Sequence, residues 1–239
     1  AFKVVPAAIQ IDAPGLFDRY ERVTLSHTGK IRGMVVTPAP LTPFDRVAKR
    51  VLDLMLAATA LVLLAPGFAV VAIMIKWDSK GPVFFRQRRH GFNQGEFQIF
   101  KFRTMTVMED GPNVVQAKRG DVRVTRVGRF LRRMSIDELP QLLNVLLGQM
   151  SIVGPRPHAI AHNQEFEDRI ALYARRHNVK PGITGWAQVN GLRGETDTED
   201  KMRSRVTHDL FYLDNWSLVL DIRIILMTVS ALVKHRDVY

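Results

Sequence analysis

A chain of 239 residues with 46% apolar and 24% charged side chains has room for one sizeable core and a small appendage; it is neither a disordered tail nor a multi-spanning transporter. Cysteine is absent, which removes disulfides, thiolate nucleophiles and Cys-ligated zinc together and fits a reducing compartment. The net charge of +11 calls for an anionic partner: nucleic acid, anionic lipid or a phosphorylated substrate.

Residues 1–43 are rich in Pro and Gly, begin at Ala1 and show no signal peptide. They read as the tail of a preceding domain that is mostly absent from this fragment. "FKVVPAAIQI" and "GKIRGMVV" are expected as short strands, with "TPAPLTP" as a linker behind them.

The segment "FDRVAKRVLDLMLAATALVLLAPGFAVVAIMIKWDSKG" follows. Its stretch 54–75 is uncharged over roughly 22 residues, enough as a straight helix to cross a hydrocarbon core of about 30 Å. Pro66-Gly67 falls near its middle, where proline removes an amide donor and clashes with the preceding turn. Arg46, Lys49 and Arg50 lie before the segment; Lys76, Lys80, Arg86, Arg88 and Arg89 lie after it. Positive residues favour the cytoplasmic side, and both ends are positive. A re-entrant helix, bent at Pro66 and leaving by the face it entered, satisfies both flanks. A kinked spanning helix and a buried soluble hairpin are the other readings.

"GPVFFRQRR" and "EFQIFKFRTM", joined by "HGFNQG", are expected to form a β-hairpin. With 97–105 as a strand, the period-two alternation puts Lys101 and Arg103 on one face. Residues 118–133 carry seven cations against the single acid Asp121, with Val127, Phe130 and Leu131 between them, the pattern of an amphipathic helix with a basic face. The Leu spacing from 139 to 147 is helical. In the C-terminal run "LVLDIRIILMTVSALVKHR", Asp221 and Arg223 interrupt the apolar residues, which favours a helix packed on the protein or lying in a membrane interface over a second span.

The densest chemistry is "RRMSIDELPQ". Ser135 and Glu138 have capping-box spacing, and Asp137 as N-cap would place Pro140 in the first helical turn. Capping leaves unexplained why two acids and two arginines share one corner. A carboxylate beside Arg132 and Arg133 stays ionised at neutral pH and can attack phosphorus. A diphosphate repels such a nucleophile, so the site must also supply positive charge from arginines, backbone amides and a Mg²⁺ ion held by carboxylate oxygens. Two adjacent acids can divide that work.

Six blocks in order, "FDRVAKRVLDLMLA", "SKGPVFFRQRRHG", "FQIFKFRTM", "SIDELPQLLNVLLGQMSIVGPRP", "VKPGITGWAQVNGLRGET" and "DLFYLDNWSLVLDIRIILMT", resemble the monotopic phosphoglycosyl transferases, bacterial sugar transferases that initiate exopolysaccharide and glycan assembly. The resemblance runs from Phe44 to the C-terminus. It implies that Asp137 and Glu138 are the family's catalytic and Mg²⁺-binding dyad. Asp137 would attack the β-phosphate of a UDP-sugar, release UMP and pass the phosphosugar to undecaprenyl phosphate in ping-pong fashion. It places phosphate-binding roles on Lys101, Arg103, Arg132, Arg156 of the Pro-Arg-Pro block, and Arg193. It also implies a re-entrant helix, broken here at Ala65-Pro66 where relatives often carry Ser-Pro. "GLRGETDTEDKM" resembles the hexose-transferring branch, with glucose 1-phosphate as the group moved; galactose or an N-acetylated sugar is the alternative donor.

The implied setting is the cytoplasmic face of a bacterial inner membrane, with a UDP-sugar, undecaprenyl phosphate and an anionic bilayer as partners, no nucleic acid, and a homodimer left open. The fold class expected is an irregular, helix-rich α/β arrangement: a re-entrant membrane helix, interfacial amphipathic helices and a small antiparallel hairpin. Its divisions are a tail at 1–43, the membrane helix at 44–80 and a catalytic domain at 81–239. Three rival readings are weaker. A nucleic-acid binder has no use for the uncharged segment, and adjacent acids on one turn do not face each other across a sugar as a glycoside hydrolase requires. A basic membrane anchor without activity has no use for the acid pair.

Overall fold

The computed structural model describes residues 24–28, 31–35, 40–106, 120–158, 166, 169–170, 172–194 and 198–234. Its contacts separate two units, Ala1–Ala39 and Pro40–Tyr239. In the first, β1 (Thr24–Thr28) and β2 (Ile31–Val35) pair antiparallel with Thr24 opposite Val35. β2 lies within the expected strand "GKIRGMVV", β1 was not anticipated, and "FKVVPAAIQI" lies outside the described residues.

The second unit opens with the long helix α1 (Pro43–Asp78). Thr42 starts it: its hydroxyl accepts from the Asp45 amide at 3.2 Å while the Asp45 carboxylate accepts from the Thr42 amide at 3.1 Å, a capping box with Pro43 in the first turn where its missing donor costs nothing. At 1.5 Å per residue the 36-residue helix is about 54 Å long. Helical structure runs on through Pro66.

Both flanks of α1 pack on the same unit. On the N-terminal flank Lys49, Asp53 and Ala57, four apart, form one buried face. Lys49 donates to Asp221 at 2.6 Å and to the Val153 carbonyl at 3.0 Å, and Asp53 accepts from the Ser151 hydroxyl and the Ile152 amide. On the C-terminal flank Ile75 is buried with Phe102 and Leu131. Between them Leu61, Leu64, Phe68 and Val71 still pack half-buried on those two clusters, while the rest of the surface is bare, with Val62 and Leu63 74% and 73% exposed and Gly67 in open space.

The anticipated hairpin is present as β3 (Phe84–His90) and β4 (Glu96–Phe102), with Phe84 opposite Phe102. Phe97 and Ile99 pack against Ala57, Leu142, Val145 and Met150, and Lys101 continues their face. Phe102 faces the other way, onto Ile75 and Leu131.

The basic helix is shorter than anticipated. It is α2 (Arg126–Arg133), because Asp121 bends the chain ahead of it by accepting from the Arg123 amide at 2.9 Å, and Thr125 caps the helix by accepting from the Gly128 amide. A side chain at residue 128 would meet the Thr104 carbonyl oxygen at 2.1 Å, so glycine lets α2 lie directly on the end of the hairpin.

A 3₁₀ turn (Ile136–Glu138) leads into α3 (Gln141–Leu146). Asn144, fully buried, locks α3 to β4: it accepts from the Phe100 amide at 2.9 Å and donates to the Gln98 carbonyl at 2.6 Å. β5 (Ser151–Val153) and β6 (Gly182–Thr184) pair in parallel. They come so close that a side chain at Gly182 would meet the Gly154 amide at 2.1 Å.

After the short α4 (Trp186–Val189) come α5 (Glu199–Asp214), capped by Thr198, and α6 (Leu218–Lys234). Asp221 does turn α6 toward the protein: it accepts from Lys49, Tyr212 and Trp216, while Ile224 joins the core. The opposite face shows Val219, Ile222, Leu226 and Val229 exposed at helical spacing. The described fold is thus helix-rich, with two-stranded sheets and one long apolar helix.

Candidate active site

The acid pair sits on the 3₁₀ turn rather than at a capped helix start, which corrects both capping readings. Ser135 takes the left-handed conformation (φ 57°, ψ 21°) and makes no side-chain cap, while α3 begins after Pro140. The Ser135 hydroxyl accepts instead from Arg193. This tight turn lets Asp137 and Glu138, each 9% exposed, face the interior together.

Their environments differ sharply. Glu138 is held at both oxygens: Arg156 engages it through both terminal nitrogens, one at 2.9 Å, and Lys101 donates to Oε1 at 2.7 Å. Burial would raise its pKa, but Arg156 and Lys101 overturn that and hold it well below the usual carboxylate range. No described residue donates a hydrogen bond to the Asp137 carboxylate. Burial pushes Asp137 up to about 6, the Glu138 charge adds to this, and Lys101, Arg132 and Arg156 offset only part of it. At pH 7 Asp137 is therefore mainly ionised yet poorly solvated, the condition of a reactive carboxylate. Lys101 is lowered, chiefly by its own burial, with Glu138 acting the other way.

Of the sequence candidates, Lys101, Asp137, Glu138 and Arg156 meet directly. Arg132 adds its charge to Asp137 and donates through Nε to Thr104 at 2.8 Å. Arg193 reaches the same turn through Ser135, and Arg205 donates to the Leu192 and Gly194 carbonyls on either side of it.

Arg103 is a correction. β4 ends at Phe102, so the alternation that paired Arg103 with Lys101 stops one residue short. Its guanidinium donates to the carbonyls of Lys80 (2.8 Å), Ser79 (2.7 Å) and Ile75 (3.4 Å). It finishes the C-terminus of α1, where a cation suits unpaired carbonyls and the helix dipole. Ala65 and Pro66 lie in the exposed middle of α1, away from this cluster.

Sequence reasoning missed a layer behind Arg156. There Arg176 and Asp209 form a buried ion pair at 2.7 Å, and His158 Nδ1 lies 2.7 Å from the Tyr173 hydroxyl. Burial, with Arg176 and other cations nearby, keeps His158 neutral, its pKa well below the ordinary value. Neither Arg176 nor Asp209 belongs to a spacing pattern, so only the fold discloses them.

Two adjacent buried carboxylates, one clamped by cations and one without a hydrogen-bond donor among the described residues, lie in a cationic site beside a partly exposed apolar helix. The chain belongs to the bacterial sugar transferase family, whose model matches residues 44–235. It is 51% identical over 217 residues to a Klebsiella pneumoniae protein named UDP-glucose:undecaprenyl-phosphate glucose-1-phosphate transferase, covering 90% of this chain and 47% of that one. Escherichia coli K12 and Caulobacter vibrioides proteins of the same name are 51% and 53% identical, covering 85% and 86% of this chain and 45% and 78% of their own. The chain spans about half the length of the Klebsiella and E. coli relatives.

Proposed function

We propose that this chain carries the phosphoglycosyl transferase activity its relatives are named for, moving glucose 1-phosphate from UDP-glucose to undecaprenyl phosphate. The carrying observation is the contrast within the acid pair: Asp137 has a carboxylate free of hydrogen-bond donors among the described residues, while Glu138 anchors the cations beside it. In the first half-reaction an Asp137 oxygen attacks the β-phosphorus. The bond from that phosphorus to the bridging oxygen breaks, UMP leaves with the oxygen, and an aspartyl-phosphoglucose remains. In the second, an anionic oxygen of the lipid phosphate attacks the same phosphorus, releasing Asp137 as a carboxylate and forming undecaprenyl-diphosphoglucose. The attacking groups are already ionised, so neither step needs a proton removed.

Lys101, Arg132, Arg156 and Arg193 surround the turn with positive charge suited to the diphosphate. Mg²⁺ fits the acid pair in a limited way. Asp137 accepts nothing from the described residues, Glu138 has three of roughly four lone-pair directions in use, and no group of three acid or His ligands occurs among the described residues. That donor set suits an ion completed by phosphate oxygens and water, held mainly by Asp137 and secondarily by Glu138. Bound there, Mg²⁺ would neutralise charge on the diphosphate.

The lipid substrate requires a membrane. The exposed apolar middle of α1 serves as its contact, entering one leaflet and turning near Pro66, with the active site on the cytoplasmic face of a bacterial inner membrane. Packing of both helix flanks on the same unit and cations beyond both ends support this reading. The exposed stripe of α6 suits the interface of an anionic bilayer. A UMP-release assay with undecaprenyl phosphate across UDP-glucose, UDP-galactose and N-acetylated UDP-sugars tests the proposal. Release with UDP-glucose is expected. No release with any donor overturns it, and release with another donor alone reassigns the sugar.

A further inference from the structure

The side chain of Arg156 can grip Glu138 only if its own backbone is held still, and the local sequence makes that difficult. Pro155 and Pro157 have no amide hydrogens, so the segment cannot secure itself as an ordinary strand. Its carbonyls are held from outside. Pro155 accepts from the Gly182 amide at 2.9 Å, Pro157 from Arg89 at 3.4 Å, and the Arg156 carbonyl from Arg176 at 2.8 Å.

The Arg176 guanidinium is engaged on every nitrogen. Nε donates to Asp209 at 2.7 Å, one terminal nitrogen to the Arg156 carbonyl and the other to His158 Nδ1 at 3.0 Å, with the Tyr173 ring 5.0 Å from the guanidinium carbon. The side chains of Arg176 and Asp209 are each 2% exposed. Burying a charge pair this deeply costs desolvation, and well-packed apolar residues commonly stabilise a fold as well or better. Fold stability alone therefore gives little reason for the pair. What it does visibly is orient the backbone from which Arg156 reaches the acid pair.

We infer that Asp209 and Arg176 are positioning residues: Asp209 on α5 orients Arg176, which fixes the Arg156 backbone and so aims the Arg156 clamp at Glu138. Neither touches substrate. Asp209 also neutralises Arg176, so a second cation can stand directly behind Arg156 without repelling it. This inference rests on the transferase reading for its kinetic test, and a spectroscopic test stands without it.

Three variants of the full chain are compared in membrane mimetic: Asp209→Asn, Arg176→Lys, and the apolar replacement Arg176→Met with Asp209→Leu. Misplacing a binding group by about 1 Å can cost on the order of 100-fold in rate, so each variant is expected to lose roughly 10- to 100-fold in kcat/KM for UMP release. The apolar pair is expected to keep a cooperative melt at or above the wild-type midpoint. A folded apolar variant with near wild-type turnover overturns the inference. Combining Arg176→Lys with Arg156→Lys is expected to be little worse than Arg156→Lys alone; losses that multiply overturn it. Independently of activity, the Arg156 Nε–H signal in ¹⁵N NMR, assigned by its absence in Arg156→Lys, is expected to shift and broaden in Asp209→Asn. An unchanged signal overturns the inference even if wild-type protein releases no UMP.

Discussion

The middle of α1 and the turn at Asp137-Glu138 invert the usual placement of residues in opposite senses. Around Pro66 large apolar side chains stand in the open; at the turn, two acids are buried, with half-buried cations around them. Each arrangement is unfavourable alone, since exposed apolar patches seek cover and buried charges need partners. Among the described residues the exposed side of the helix is left uncovered and the Asp137 carboxylate without a hydrogen-bond donor, whereas Glu138 is clamped by Arg156 and Lys101. Under the proposed function lipid would complete the first region and a phosphorylated substrate the second, so that one fold brings both to the same boundary.

The comparison breaks most visibly at the helix. Replacing Leu63 and Val70 together by Asp puts two charges into the proposed leaflet contact, at about 2.5–3.5 kcal/mol each. Flotation with vesicles is expected to move the protein from the lipid to the soluble fraction; unchanged flotation would mean that this surface is not the membrane contact. Next is the clamp. Arg156→Met leaves Glu138 with Lys101 alone, and a loss of about 2–4 kcal/mol in chemical denaturation is expected, less than a fully buried pair would give because Arg156 is partly solvated.

Arg103→Met sharpens the distinction between the regions. It removes the donors that finish α1, so stability is expected to fall by about 1–3 kcal/mol, while UMP release per folded molecule stays within a few-fold. A selective loss of turnover would return Arg103 to the substrate site.

The smallest effect has the opposite sign. Asp137 has a folded pKa of about 6 against an ordinary 3.8, so between those values the folded state binds more protons than the unfolded one. The destabilisation is absent below the lower value, grows as pH rises through the window and stays constant above it. Asp137→Asn is expected to stabilise the fold at pH 7.5 by on the order of 1–2 kcal/mol and to lose that advantage near pH 4. For the native chain, UMP release is expected to decline as pH falls through 6, as Asp137, the proposed nucleophile, becomes protonated.

Much of this was legible along the chain, for reasons that differ by residue. The apolar run and its cationic flanks are composition, readable without a fold. Lys101 was legible through alternation, because strand β4 reaches just far enough to present it. The same rule failed at Arg103, two residues on, because the strand had ended. Ser135 misled because capping-box spacing says nothing of the left-handed backbone that the turn adopts. Arg176 and Asp209 were silent because they are separated in sequence and only the packing of α5 joins them.

The most direct measurement is covalent labelling of the purified chain with UDP-glucose carrying ³²P in the β-phosphate. Hydroxylamine-labile label on the protein, mapped to the peptide containing Asp137, lost on adding undecaprenyl phosphate and absent from the folded Asp137→Asn variant, is the result this account expects. Label that persists in that variant, or UMP release from native protein with no label at all, would contradict it.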